Sequence, residues 1–597
     1  SFEVDENKNA TFAGNISGSA TSTGSFGAGR FAGNVGIGTT DPDDNLTISS
    51  PYSPRLGLYS TNAAATARNW AFRVGHDAYG DFALRQSNAK GGDAISAGTT
   101  RFEISNTGNA TLTGGSNYSQ LSIKGSGAES GIKMIDSGGQ VDGWVYATGE
   151  SIGFLDSGGN VRFKIDVNSR ISLSNNDGNT SNTVFGYHAL TNAGTVLGDV
   201  GADQNTAIGH LAMGTGTTLA AEGNTAVGYI SLEDVTAGDY NTAVGVAALK
   251  NNTDGHRNSA FGYDALGTNV SGDYNTAIGM HSLNVSSTDN NTVVGYESGY
   301  VTTGADNTYV GFKAGRGAAG ADANNVGVGS NALLSITTGQ NNVAVGYGAL
   351  DAENTGNKNV AVGYNALTAF DYNGDGYNVA VGNNAGLAAT TGIENTFVGA
   401  NCGQNLTTGD FNTFVGIAAG ANGGDVDNAV LIGRAAGQNQ TMTADADGTV
   451  AVGAYAGYNI KTGQYNVAMG YQALYTATEL DKNTAIGYQA LKVLSGSAGT
   501  GENTAVGYQA GVAMTTGYDN TLIGANTGNQ ITTGQSNVCI GKDAGDSLTT
   551  EIGMICIGDD AGQKVQGGTT TSDGQVFIGY HAGQDIDTGE GNVAIGY

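Results

Sequence analysis

Proline and cysteine are scarce in this chain, with 3 of each in 597 residues. A collagen triple helix needs abundant proline and glycine at every third position, and neither is present, so this fold is excluded. The three cysteines, Cys402, Cys539 and Cys556, cannot form a disulfide framework or a four-ligand zinc site. Neither a collagen-like nor a disulfide-stapled architecture therefore fits the sequence.

Basic residues are also few: 24 Lys and Arg face 53 Asp and Glu, which gives a net charge of −29. Proteins bind nucleic acid by neutralising its phosphates with a basic surface, so we expect no nucleic-acid partner. An anionic membrane surface is disfavoured for the same reason. No run of about 18 apolar residues is present, and we therefore expect no membrane insertion.

Glycine is abundant, with 100 residues, more than twice the average usage of about 7%. The chain also contains 39% hydrophobic residues and 27 tyrosines but only 13% charged residues, a composition that does not fit ordinary disorder. Glycine costs about 1 kcal/mol relative to alanine at a helical position, so helix is disfavoured as well. The composition predicts an all-β protein with many turns.

The C-terminal two-thirds of the chain repeat the pattern N-T-A-V-G-Y-x-A-L, or a variant that ends in glycine. There are 24 copies, and 14 of the 23 intervals between their central glycines equal 17 residues. We call this glycine position 0 and count the other positions from it. It falls at residues 186, 209, 228, 245, 262, 279, 295, 311, 329, 346, 363, 382, 399, 416, 433, 453, 470, 487, 507, 524, 541, 558, 579 and 596.

The residues before position 0 alternate in size, which is typical of a β-strand. Position −1 is bulky and apolar, position −3 is Thr, Val or Ile except at Ser259, and position −2 is most often Ala. Position −4 is Asn in 20 of the 24 copies, and stacked Asn side chains can hydrogen-bond from coil to coil. The representative repeat residues are Asn224, Val227, Gly228, Asn241, Val244, Gly245, Asn342, Val345, Gly346, Asn483, Ile486 and Gly487.

A 17-residue unit with one strand of about five residues is too short to bury a core alone. Stacked units would form a parallel β-solenoid or β-roll, about 115 Å long if each unit makes one coil. We expect the bulky face to be internal and the small Ala face to pack against the same face of identical chains around a symmetry axis. The alternative is that both faces are internal to one monomer. Coils with a large residue at position −2 should be wider or differently packed; these residues are Tyr309, Phe397, Phe414, Leu431, Leu522 and Phe577.

The N-terminal third has a different pattern, in which alternating segments separated by polar turns predict β-hairpins at 1–14, 101–114 and 162–173. All three prolines, Pro42, Pro51 and Pro54, fall in one window that predicts a linker. The predicted organisation is an N-terminal hairpin and fibre segment (1–41), a linker (42–54), two β-modules (55–114 and 115–178) and the solenoid (179–597). Each β-module contains one strand with a Trp.

Several segments resemble known families. Residues 34–42, N-V-G-I-G-T-T-D-P, resemble a V-G-I-G-T-T-x-P segment of bacteriophage tail-fibre and tail-spike proteins, and the hairpins are similar to stalk elements of the same fibres. The N-T/V-A-V/I-G-Y/A-x-A repeat resembles the head repeat of trimeric autotransporter adhesins, which is a left-handed parallel β-roll. The resemblance implies a homotrimer that has other virion tail proteins and a host cell-surface glycan or protein receptor as partners.

Three sets of residues are candidate sites. Asp371, Asn373 and Asp375 precede glycine as in the first half of a calcium loop, although the same residues also make a good turn between coils. Tyr at position +1 could stack sugars, but we expect a core-edge aromatic ladder. Cys539 and Cys556 occupy the same position in successive coils and are expected to be two buried thiols. We expect no other cofactor.

The sequence thus favours a non-enzymatic structural fibre that attaches to a host surface, as a phage tail fibre located on the virion tail outside the cell. A bacterial surface adhesin of the trimeric autotransporter type, on the bacterial cell surface, is the main alternative. A tail-spike polysaccharide depolymerase is a third hypothesis, and it predicts paired carboxylates in a groove.

Overall fold

The computed structural model contains two compact units, residues 1–149 and 150–597. As far as residue 172 it describes the strands given below, and beyond that it describes residues 182–190, 203–215, 220–318, 320–496, 501–565, 573–586 and 589–597. The three prolines of the predicted linker lie outside the described residues.

The strands of the first unit are mostly paired with their neighbours in sequence. Strands β1–β2, β5 to β9 in order, and β10–β11 are antiparallel, whereas β3–β4 is a parallel pair. Their bounds are β1 Phe2–Val4, β2 Ala10–Phe12, β3 Val35–Ile37, β4 Leu46–Ile48, β5 Arg55–Leu58, β6 Trp70–Val74, β7 Phe82–Gln86, β8 Thr99–Ile104, β9 Ala110–Leu112, β10 Glu129–Ile135 and β11 Val141–Thr148.

The second unit begins with three antiparallel strands, β12 Ser151–Leu155, β13 Val161–Ile165 and β14 Ile171–Ser172. The three predicted hairpins are confirmed: they are the pairs β1–β2, β8–β9 and β13–β14. Each predicted module supplies five strands, and the Trp-containing strands are β6 and β11.

The rest of the second unit is a parallel solenoid whose 24 strands form one sheet in sequence order, which confirms the predicted fold. Every strand covers positions −3 to −1, so it has three residues rather than the five expected. The strands are β15 Thr183–Phe185, β16 Thr206–Ile208, β17 Thr225–Val227, β18 Thr242–Val244, β19 Ser259–Phe261, β20 Thr276–Ile278, β21 Thr292–Val294, β22 Thr308–Val310, β23 Val326–Val328, β24 Val343–Val345, β25 Val360–Val362, β26 Val379–Val381, β27 Thr396–Val398, β28 Thr413–Val415, β29 Val430–Ile432, β30 Val450–Val452, β31 Val467–Met469, β32 Thr484–Ile486, β33 Thr504–Val506, β34 Thr521–Ile523, β35 Val538–Ile540, β36 Ile555–Ile557, β37 Val576–Ile578 and β38 Val593–Ile595.

The stacking is in strict register, so equivalent positions of successive coils lie side by side. Thr225, Ala226 and Val227 pair with Thr242, Ala243 and Val244. The only helix among the described residues is a single 3-10 turn, Ala444–Ala446. No helix in the described part of the chain is long and apolar enough to cross a membrane.

Position 0, directly after each strand, must be glycine because no side chain fits there. Its φ lies between +131° and +148° in all 24 copies, a region that residues with a Cβ rarely adopt. A Cβ on Gly228 would lie 2.3 Å from the carbonyl oxygen of Gly245 in the next coil, and the same collision recurs at every coil followed by another. The repeat glycine therefore permits the close approach of successive coils.

A ladder of buried Asn side chains at position −4 joins the coils. The side-chain oxygen of Asn224 accepts the backbone N–H of Asn241 at 2.8 Å, and the side-chain nitrogen of Asn224 donates to the carbonyl of Gly238 at 2.8 Å. The predicted amide-to-amide bond also occurs in part of the ladder, for example from Asn520 Nδ2 to Asn503 Oδ1 at 3.0 Å. Buried backbone groups that the narrow turn leaves unpaired thus find partners in these amides.

The interior of each coil is filled from positions −2, +4 and +7, with a small residue at +3. In the coil of Gly363 these residues are Ala361, Leu367 and Phe370, with Ala366 at +3, and all four are fully buried. Each coil buries few side chains alone, but the stack forms one continuous hydrophobic core.

Large residues at position −2 are accommodated by glycine at position +4. Ten coils carry a large or sulfur-containing residue at position −2, and nine of them have Gly at +4. The exception is the first coil, which has Val184 and Leu190. A Cβ on Gly403 would lie 2.5 Å from the ring of Phe397, and a Cβ on Gly583 would lie 2.2 Å from the ring of Phe577. The six coils with a large residue at −2 are thus packed differently, as predicted. In each of them the large side chain occupies the space that the side chain at +4 fills in other coils.

Candidate functional site

The sheet of the solenoid has an inner and an outer face, and they are the reverse of the faces predicted from the sequence. Ala at position −2 is fully buried inside the coil, as at Ala226, Ala243 and Ala344. Positions −3 and −1 point outward and are half-buried or exposed. The expectation of an internal bulky face and an external Ala face is therefore wrong, and so is the alternative in which both faces are internal.

The reason is the small cross-section of the coil. A strand of three residues contributes one inward side chain, and the Leu at +4 together with the residue at +7 already fills the space opposite. Only a small residue at −2 fits beside them unless position +4 is glycine. Period-two alternation identifies two faces but does not say which one is enclosed.

We call positions −3 and −1 of the 24 strands the outer face. Its residues are Thr, Val, Ile, Phe and Met with a single Ser, and none is charged. Some of its apolar side chains are exposed, for example Ile278 at 41% and Met469 at 40%, and most of the others are half-buried. A row of this length exceeds the apolar patches that a soluble monomer usually exposes.

Tyrosines at position +1 form an exposed row beside the outer face. Tyr347 and Tyr364 are each half exposed, and their rings are stacked with centroids 5.3 Å apart. Tyr488 stacks on Tyr508 in the same way at 5.2 Å. The expected core-edge position is wrong because the face beside these residues is not buried. In the stacked runs the ring faces are turned towards one another, which leaves the ring edges and hydroxyls to solvent rather than the flat faces that a sugar would stack on.

The predicted calcium residues lie in an exposed turn between two coils. The Asp375 carboxylate is 2.6 Å from the ammonium of Lys358 and also accepts from Asn357 at 3.3 Å. The hydrogen bond from Lys358 lowers the pKa of Asp375. Asp371 and Asn373 are exposed in the same turn, next to Gly374. A cation would therefore compete with Lys358, and calcium binding here stays a prediction.

Three carboxylates that were not predicted as a site meet in the coils of Gly541 and Gly558. Oxygens of Asp543, Asp559 and Asp560 lie within 4.8 Å of one another. Lys542 Nζ is 2.5 Å from Asp543 Oδ2, and His581 Nδ1 is 3.7 Å from Asp560 Oδ2. Burial acts to raise the pKa of Asp543, but the hydrogen bonds from Lys542 and Asn526 outweigh it and lower the pKa. The sequence signal is an acid at +2 of one coil, Asp543, and acids at +1 and +2 of the next, Asp559 and Asp560, which stacking brings together.

The cysteines are free, and all three are buried. Cys539 and Cys556 are register partners in β35 and β36, as predicted from their spacing. Contact between the two thiols and burial raise the pKa of Cys539 well above its usual value. Burial raises the pKa of Cys402 to about 12. These thiols are packing groups of the core.

Comparison of the chain with protein-family models, with curated proteins and with solved structures gave no match.

Proposed function

We propose that the chain is a structural fibre protein that forms a homotrimer, and that it acts as a phage tail fibre attaching the virion to a cell-surface glycan or protein receptor. The observation that carries this proposal is the combination of a 24-strand parallel stack with a continuous uncharged outer face. A stiff stack provides reach, and an uncharged face provides a contact for identical chains.

The reach follows from the spacing of parallel strands. Twenty-four strands about 4.8 Å apart extend for about 110 Å. Each coil is tied to the next by backbone hydrogen bonds, such as Thr225 N–H to the carbonyl of Asn241 at 2.8 Å, and by the Asn ladder. Hydrogen bonds between every pair of successive coils make the stack stiff. An attachment fibre needs this stiffness to hold its two ends apart.

The contact between copies is assigned to the outer face rather than to the Ala face. Strands of three residues over this length present about 1,100 Å² of outer face per chain. A standard stable interface buries about 800 Å² per partner, so the face is large enough to join copies. The net charge of −29 opposes association elsewhere, whereas no residue of this face is charged. Closed symmetry around one axis would cover the face along its whole length.

The placement on a virion is tested with antibodies raised against residues 203–597. In immunogold electron microscopy of phage particles prepared from the culture or sample in which the chain is encoded, the proposal predicts gold on the virion tails. Gold on the surface of bacterial cells, with unlabelled virions, would instead support the adhesin hypothesis.

A further inference from the structure

A carboxylic acid occupies a core position in one coil of the solenoid. Glu353 is at position +7, where the coils before and after it carry Ile336 and Phe370, and all three side chains are buried. Among the described residues at position +7, Glu353 is the one acid. Its place in the stack is therefore that of a hydrophobic core residue.

The carboxyl group of Glu353 is only partly satisfied. Oε1 accepts the N–H of Gly356 at 2.5 Å, whereas Oε2 is buried and has no hydrogen-bond partner. The charged neighbour that acts on it is Asp371 in the following coil, which repels a negative charge. The residue above it in the preceding coil, Ile336, is uncharged. Backbone N–H groups of Asn354, Thr355 and Gly356 favour the ionised form, but burial outweighs them and the net effect is a raised pKa.

A second buried acid lies less than two repeats earlier. Asp322 is 1% exposed, and its Oδ2 accepts the hydroxyl of the fully buried Tyr309 at 2.6 Å. Tyr309 is itself the large residue at position −2 of the coil of Gly311. The N–H groups of Thr303 and Gly304 in the preceding coil and the N–H of Asp322 itself also favour the ionised form, but burial outweighs them. Gly339 holds the same position in the following coil. Both acids thus fall within residues 303–371.

We propose that residues 303–371 are a pH-sensitive segment of the solenoid, which is tightly closed in acid and opens locally as the buried carboxyl groups of Asp322 and Glu353 ionise. Ionising an acid that is buried in the core is costly, and separation of the coils gives the two carboxylates access to water. Coils elsewhere whose core positions are neutral lack this response.

The direction follows from the shifts of the two acids. Burial raises the pKa of Glu353 from 4.5 to about 7 and that of Asp322 from 3.8 to about 6. A group whose pKa is higher in the closed state stabilises that state fully below the ordinary pKa, and the contribution is lost as the pH rises through the raised pKa. The segment is therefore most stable below about pH 4 and loses stability between about pH 5 and pH 8.

Hydrogen–deuterium exchange read by mass spectrometry on the full chain tests this proposal. Protection factors, which remove the intrinsic pH dependence of exchange, are compared at pH 5 and pH 8. We expect peptides from 303–371 to lose protection by on the order of 100-fold. Peptides from 396–433 should change by only a few-fold.

Two double variants distinguish the buried acids from a general effect of charge. Asp322→Asn with Glu353→Gln keeps the size of the side chains and should abolish the local loss of protection. The matched control, Glu394→Gln with Asp519→Asn, changes two exposed acids and should retain it. A loss of protection that is uniform along the solenoid, or one that persists in the Asp322/Glu353 variant, would overturn the proposal.

Discussion

The side-chain oxygen of Asn342 accepts the backbone N–H of Asn359, one coil further along, at 2.9 Å. The same Asn342 side chain donates through Nδ2 to the carbonyl of Gly356 at 2.8 Å. One amide therefore satisfies a donor and an acceptor of the next coil. This relationship recurs along the solenoid and identifies the Asn at position −4 as the residue that holds successive turns in register.

Asn342→Ala should destabilise the solenoid by about 2–4 kcal/mol, because it leaves a buried N–H and a buried carbonyl without partners. The free energy of unfolding, from denaturant titration followed by circular dichroism, measures the effect. The matched control is Asn383→Ala, which truncates an exposed Asn and should change stability by less than about 0.5 kcal/mol. Equal effects of the two substitutions would show that the ladder contributes nothing specific.

Gly346→Ala should be more damaging than an ordinary glycine substitution. The added Cβ would lie 2.2 Å from the carbonyl oxygen of Gly363, and the backbone φ is +138°. The coils must separate locally, so we expect a loss of more than about 4 kcal/mol or failure to fold. Gly553→Ala is the control, since its φ is +71° and nothing lies within 4 Å of the added Cβ. It should cost about 1–2 kcal/mol. A similar cost at both sites would contradict the collision argument.

Replacing the pair Phe397 and Gly403 by Ala and Leu tests whether glycine at +4 compensates for a large residue at −2. Phe397→Ala alone should cost about 3–5 kcal/mol through the cavity that it leaves. Adding Gly403→Leu restores the Ala and Leu combination of other coils, such as Ala361 with Leu367, and should recover at least half of that loss. Gly403→Leu alone should prevent normal packing of the coil, because the Phe397 ring occupies its space. Additive effects of the two substitutions would rule out compensation.

The three cysteines should be inert in the folded protein, because they are buried and thiolate formation is disfavoured. Labelling with iodoacetamide at pH 8 should modify none of them in native protein and three per chain in guanidinium chloride. Modification of only one cysteine in denatured, unreduced protein would indicate a Cys539–Cys556 disulfide and contradict the free-thiol structure.

Much of the architecture could be predicted from the sequence because the repeat fixes the register. Once Gly228 and Gly245 are aligned, the pairing of Thr225 with Thr242 follows, and so does the stacking of Cys539 on Cys556. The hairpins at 1–14, 101–114 and 162–173 were equally visible, since alternating segments flank a polar turn in each.

The orientation of the strands could not be predicted in this way. Whether Ala226 or Val227 points inward depends on how much space Leu232 and Val235 occupy on the opposite wall of the coil, and this is a property of the closed coil rather than of the strand. The burial of Glu353 and Asp322 could not be predicted for a related reason: both lie in the variable segments between strands, where the sequence does not show which residues turn inward.

The mass of the protein in solution tests the central claim most directly. Sedimentation equilibrium or light scattering on the whole chain should give three times 60.0 kDa. Replacing Val244 and Val345 on the outer face with Glu should lower the mass towards one chain, whereas the same measurement on Glu394→Gln should still give the trimer. A mass of 60.0 kDa for the unmodified chain, or a trimer that is unaffected by the two outer-face charges, would contradict the account.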